Sequence, residues 1–347
     1  MSDFDASDLE RVEACELCGE PVRDVRTAIS ANGFDSVVCS NCGLVFLNPR
    51  PREQALGGLY TDTYYAYRVP DRESAKQRIK DECLLDLGGY PHRRRPLWLA
   101  ASSAMVRAVR GGQTSVVIPY RGDVHGAPRI LDIGCGSGDF LLWARKAGWE
   151  PDGLDVVETA VLRAREQGLD VFHGTIGQAG YDDNFFDTIH SDNAFEHMHH
   201  PLAALRETRR ILKPDGLFVI CVPNFEGSCA KLLGPYWNLL CVPHHMYQFT
   251  TATLTAMLGK AGFVVERVHY KSFFIPYTEK NSFRNLKRAI DTGEIKASQA
   301  HFWKVLWKLA VWRRIQVALG LGRPEDHGQF ITAYCRKGDR AKEEESK

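Results

Sequence analysis

Arg129-Ile-Leu-Asp-Ile-Gly-Cys-Gly-Ser-Gly-Asp-Phe140 is the stretch on which the fold turns. An apolar strand ends at Asp132, runs into Gly134, Gly136 and Gly138, and gives way to a helical pattern. Glycine lets backbone approach a ligand closely, and a glycine-rich turn opening a helix suits a nucleoside-bearing cofactor. The alternation is G-x-G-x-G, tighter than the G-x-G-x-x-G of nicotinamide dinucleotide sites, with an acid two residues ahead of the first glycine.

Outward from this loop, short apolar strands alternate with helices, which predicts an α/β fold with a parallel sheet. Strands are expected near 129–133, 151–156, 169–173, 185–191 and 216–222, and helices near 139–147, 158–167 and 201–212. A further helix–strand unit fits 251–260 and 263–274, and 329–336 supplies a last strand.

Upstream, residues 1–14 read as a disordered arm and 15–51 as a compact cysteine module. Residues 52–128 read as a helical linker or lid, with helices near 72–87 and 97–109. The main domain then covers 129–275 and 328–337, interrupted by a basic, tryptophan-bearing insertion at 276–327 and followed by a charged tail, 338–347.

The 347 residues are 44% hydrophobic and 25% charged, and the net charge of +1 gives no global field for a long polyanion. The polar N-terminus lacks a hydrophobic signal region and no run is long enough for a membrane span, so a cytoplasmic protein with reduced or metal-bound cysteines is expected. Residues 301–319 carry an apolar stripe flanked by Lys304, Lys308, Arg313 and Arg314. Such a helix suits peripheral contact with an anionic membrane or a lipid-linked substrate, or else packing on the sheet or in a dimer.

Cys15-x-x-Cys18 and Cys39-x-x-Cys42, each followed by glycine, have the spacing of a four-cysteine knuckle site for structural Zn²⁺.

The glycine loop, with its strand and acid, resembles the first motif of class I S-adenosylmethionine (SAM)-dependent methyltransferases. Phe186 to His197 resembles that family's fourth strand and its Glu-His ending, Ile211 to Gly216 the turn before the fifth strand, and Leu258 to Phe263 the turn into the sixth. Gly234-x-x-Trp237 followed by Pro243-x-His245-x-x-x-Phe249-Thr250 resembles a branch that includes type 23 and ubiquinone-biosynthesis methyltransferases. The cysteine module resembles zinc modules fused to certain methyltransferases, including enzymes that modify sugars.

The resemblance implies a Rossmann-like, seven-stranded, mostly parallel sheet whose last strand is antiparallel. It implies SAM held by Asp132, Gly134, Gly136, Gly138, Asp155 and Asp192, with Asp155 at the ribose hydroxyls. An acid expected near the adenine is missing from His173-Gly174-Thr175-Ile176. Two clusters compete for acid–base work: Asp192, Glu196 and His197, with His199 and His200 behind them, and His244, His245 and Tyr247, with His245 foremost. The implied reaction is methylation, at oxygen first, of a small-molecule or glycan acceptor such as a nucleotide-sugar, polysaccharide or lipid-linked sugar. An RNA methyltransferase gripping RNA through the ribbon and insertion, and an inactive SAM-binding scaffold, are the alternatives. The near-neutral charge argues against nucleic acid, and the sequence sets no oligomeric state.

Overall fold

The computed structural model describes residues 4–23, 25–58, 74–91, 96–110, 116–120, 122, 126–271, 278–294, 304 and 328–338. The stretch 301–319 apart from Lys304 and the tail beyond 338 lie outside them.

Five short strands build the N-terminal part: β1 (Leu9–Glu10), β2 (Arg26–Ala31), β3 (Phe34–Val38), β4 (Val45–Leu47) and β5 (Arg50–Pro51). The free arm expected over 1–14 is corrected for its described part, because β1 pairs antiparallel with β5 and the Val12 N–H donates to Asn48 Oδ1 at 3.1 Å. The polar composition misled because backbone pairing and the ion pairs of Glu10 with Arg50 and Arg52 hold the segment, together with Val12 against the core and the Phe4 ring against Phe34. Strands β2 and β3 form a hairpin whose turn residues Asn32 and Gly33 both have positive φ, the two-residue turn that matches strand twist.

Helix α1 (Ala75–Gly88) is capped by the Ser74 hydroxyl and stops at Gly89, whose φ of 74° suits glycine. Helix α2 (Leu97–Arg110) follows and packs on it.

The main domain runs β6 (Arg129–Ile133), α3 (Asp139–Ala147), β7 (Glu150–Asp155), α4 (Glu158–Glu166), β8 (Asp170–His173), β9 (Phe186–Asp192), α5 (Pro201–Ile211), β10 (Leu212–Pro223), α6 (Ser228–Leu233), β11 (Tyr247–Gln248), α7 (Thr251–Lys260), β12 (Phe263–Lys271), α8 (Thr278–Asp291) and β13 (Phe330–Lys337). Seven strands make one sheet in the order β12-β13-β10-β9-β6-β7-β8. Strands β8, β7, β6, β9 and β10 are parallel, and β13 runs antiparallel to both neighbours, as expected for the last strand. Strand β10 begins at Leu212 rather than near 216, pairing Leu212 with Phe186 before an irregularity at Leu217. The central strands β6 and β9 are buried except for the half-buried Arg129 and Asp192 at their ends, which is why they read as apolar runs rather than alternating patterns.

The second sheet has the order β11-β4-β3-β2. Its outer strand, β11, comes from the main domain, so the cysteine module is built partly from residues 200 positions away. Leu44, Phe46 and Leu47 share one hydrophobic cluster with Ile133, Phe195, Met246 and Phe249. Among the described residues no helix is long and apolar enough to cross a membrane.

Candidate active site and cysteine cluster

The loop between β6 and α3 lies at the carboxyl end of the parallel strands, where open α/β sheets bind ligands. Gly134, Gly136 and Gly138 have φ of 76°, 52° and 86°, which L side chains rarely adopt. A Cβ on Gly134 would meet Ala194 Cβ at 2.6 Å, and one on Gly138 would meet Leu169 Cδ1 at 2.3 Å. The loop is therefore fixed by backbone angle and packing together, and its amides are tied within the fold: the Gly134 and Cys135 N–H groups donate to the Leu154 carbonyl, and the Gly138 N–H donates to that of Cys135.

Asp155 ends β7 with its carboxylate accepting from the Gly136 N–H and the Val157 N–H, both at 2.9 Å. It thus ties the glycine loop to the start of α4 and keeps lone pairs for a further donor, as ribose hydroxyls require. Burial pushes its carboxyl above the usual range, against those two amides. Asp132 lies beneath the loop, with Oδ1 2.7 Å from His190 Nδ1. Burial raises its carboxyl too, and His190 opposes the rise. The His190 ring stacks on Phe140 at 3.9 Å. Asp132 therefore supports the loop through His190, a partner the sequence reading missed; its signal was a lone histidine in a strand otherwise suited to the core. Asp192, at the end of β9, is partly buried and accepts from Asn193 Nδ2.

The two acid–base clusters converge. Glu196 sits in a single helical turn (Phe195–His197) directly after Ala194, which packs on Gly134. His245 Nε2 lies 3.9 Å from Glu196 Oε1, and the His245 and His197 rings meet edge to face at 4.5 Å. Glu196 is 1% exposed, and neither carboxylate oxygen has a hydrogen-bond partner among the described residues. Leaving such a group unpaired costs about 1–3 kcal/mol or more, so the ionised form is strongly disfavoured. Burial, with Asp192 nearby, pushes its carboxyl up to about 8. Burial and His244 hold His197 down at about 3, and burial with His197 and His244 holds His245 well below its ordinary value. At neutral pH the group is two uncharged imidazoles and a largely protonated carboxyl. Donor atoms of Glu196, His197 and His245 all lie within 4.8 Å of one another.

Tyr247 does not join this group. Its hydroxyl donates to the His199 carbonyl at 3.0 Å and accepts from Arg50 Nη1 at 3.3 Å. The candidate catalytic role is corrected on that ground, since alternation along β11 turns Tyr247 toward the module. His199 and His200 also face the module: His199 Nε2 bonds the Pro51 carbonyl at 2.8 Å, and His200 Nδ1 lies 3.7 Å from Glu16. Arg50 was not singled out from sequence, because a basic residue between two prolines carries no sign of burial.

Cys15, Cys18, Cys39 and Cys42 bring four sulfurs within 4.8 Å of one another, with Cys15–Cys42 at 3.5 Å and Cys18–Cys39 at 3.6 Å. Tetrahedral Zn²⁺ with Zn–S of about 2.3 Å would place sulfurs about 3.8 Å apart. The donor set fits Zn²⁺, and all four cysteines are free. The Gly19 N–H donates to the Cys15 carbonyl and the Gly43 N–H to that of Cys39, closing both knuckles. Burial pushes Cys42 up to about 11, whereas at Cys18 the Glu20 amide and Asn41 outweigh burial and bring the thiol to about 7.

Sheet order, antiparallel last strand and glycine loop define a class I methyltransferase fold. The sequence pattern of the type 23 family, described as a methyltransferase domain, matches residues 63–268. That is more than half of the chain, and the chain belongs to this family. A ubiquinone biosynthesis O-methyltransferase from Maricaulis maris is 32% identical over 130 residues, 35% of this chain and 51% of the relative. One from Cereibacter sphaeroides is 28% identical over 183 residues, 49% of this chain and 72% of the relative. The chain thus spans about half the length of the first of these relatives. A solved SAM-dependent methyltransferase from Mesorhizobium loti is 20% identical, with a TM-score of 0.39 over 61% of this chain and 92% of that one.

Proposed function

We propose that this protein is a SAM-dependent methyltransferase acting on an oxygen of a small-molecule or glycan acceptor, with His245 as the base and Glu196 as its partner. The observation that carries the reading is the buried His245–Glu196 pair beside the glycine loop. Relatives named as ubiquinone O-methyltransferases support oxygen as the acceptor atom.

Gly134, Gly136, Gly138 and Asp155 would hold the donor, which when bound supplies an activated sulfonium methyl group. As the acceptor O–CH₃ bond forms and the sulfonium S–CH₃ bond breaks, the acceptor hydroxyl must release one proton. His245, kept neutral by burial, has a lone pair to take it, and Glu196 Oε1, 3.9 Å away, would stabilise the imidazolium once its carboxyl ionises as pH rises through about 8. Zn²⁺ held by Cys15, Cys18, Cys39 and Cys42 would be structural, since four protein ligands leave no open position.

The test is transfer of radiolabelled methyl from SAM, by purified protein, into a fractionated bacterial extract. Label in a sugar-nucleotide or lipid-linked glycan fraction is the expected result. Ribonuclease-sensitive label would replace the glycan reading with an RNA one.

A further inference from the structure

Arg50 is the one buried arginine among the described residues, at 7% exposure. A guanidinium stays charged, so its burial demands partners on every side. They come from three segments distant in sequence: Nε donates to Glu10 Oε1 at 2.8 Å, and Nη1 donates to the His199 carbonyl at 2.9 Å and to the Tyr247 hydroxyl at 3.3 Å. His199 stands three residues after Glu196, and Tyr247 two after His245. The Tyr247 hydroxyl itself donates to the His199 carbonyl, which closes the triangle. One side chain of the cysteine module thus grips both loops that carry the reactive pair.

A second set of bonds runs in parallel. The Leu47 N–H of β4 donates to the Met246 carbonyl at 2.8 Å, and the Met246 N–H donates to the Glu196 carbonyl at 2.7 Å. Met246 is therefore pinned between the module and Glu196, directly beside His245. Strand β4 starts three residues after Cys42, and the Cys39 N–H donates to the Leu44 carbonyl at 2.9 Å, so the second cysteine knuckle fixes where β4 begins. The Asn32 side chain, from the β2–β3 turn, adds a bond to the Val242 carbonyl at 2.9 Å.

We infer that Arg50 is a positioning residue: the cysteine module acts through it, and through the β4–β11 pairing, to set His245 against Glu196, so that the module controls turnover and not donor binding. The inference rests on the His245–Glu196 reading above. The glycine loop, Asp155 and the Asp132–His190 pair make none of these contacts, so donor affinity is expected to stay unchanged when Arg50 is replaced. A displacement of about 1 Å at reacting groups costs on the order of a hundredfold in rate.

The test uses full-length protein labelled with ¹³C at the histidine Cε1, with the His245 and His190 resonances assigned by His245→Gln and His190→Gln. In Arg50→Ala the His245 resonance is expected to shift toward that of an exposed histidine while His190 stays in place and the affinity for SAM is unchanged. Arg50→Lys, which keeps the charge but cannot make all three contacts, should shift it by an intermediate amount. In the radiolabel assay turnover should fall about a hundredfold. An unmoved His245 resonance in a variant that retains the His190 signal overturns the inference, as does a parallel loss of SAM affinity. Should Arg50→Ala lose the His190 signal through misfolding, Tyr247→Phe, which removes a single hydroxyl, carries the same two outcomes. The underlying reading fails separately: full transfer by His245→Gln removes the base but leaves the resonance shifts to decide the positioning role.

Discussion

At Asp155 one carboxylate does two tasks, bonding the Gly136 and Val157 amides and keeping lone pairs toward the crevice. Replacing Asp155 with alanine frees a loop amide and removes a charge-assisted acceptor for ribose hydroxyls, at about 1.5–3 kcal/mol for such bonds. Calorimetric titration with SAM should show affinity reduced by at least about tenfold, and unaltered affinity removes Asp155 from the site. Glu196 supports a prediction about pH. Its folded value, about 8, lies above the ordinary carboxyl value, so its contribution to stability is full below that ordinary value and is lost as pH rises through about 8. Glu196→Gln should therefore flatten the fall in melting temperature between pH 5 and pH 9, gaining on the parent at the alkaline end. Parallel melting curves for the two proteins would show that the carboxyl does not titrate there.

At the scale of elements, the loop between β6 and α3 is held in shape by glycine. Gly138 has a φ of 86° and no room for a methyl group beside Leu169. Gly138→Ala is expected to cost about 1–3 kcal/mol and to weaken SAM binding, read by thermal melting and titration with SAM. Retention of both would mean that the loop is looser than described. Strands, helices and their order were legible because the main domain consists of short apolar runs punctuated by Gly, Pro and Asp, with motif residues at strand ends. Boundaries slipped where pairing decided them, as at Leu212, which joins β10 by pairing with Phe186. Within the site, the glycine loop was marked by its own residues, and Asp155, Glu196 and His245 were singled out by the family resemblance. Arg50, His190 and the outward turn of Tyr247 were not, because each owes its place to a partner more than 50 residues away. Asn32-Gly33, by contrast, carries a hairpin signal in its own two residues.

At the scale of the molecule, the cysteine module and the main domain share a hydrophobic cluster, and β11 of the main domain pairs with β4 of the module. They should therefore unfold together rather than as separate domains. Cys39→Ser is expected to lower bound zinc, measured by mass spectrometry of the metal, and to shift one cooperative calorimetric transition downward. Two separated transitions, or full metal content in the variant, would contradict that coupling. The near-neutral net charge supplies no general attraction for polyanions, so recognition of the acceptor falls to local groups around the crevice.

The most direct measurement is the rate of methyl transfer from SAM by the purified protein and by His245→Gln, with the same labelled acceptor fraction and with donor affinity measured in parallel. A fall of about 10²–10⁴-fold in rate with SAM affinity intact is the predicted result. Equal rates for the two proteins would contradict the assignment of His245 as the base.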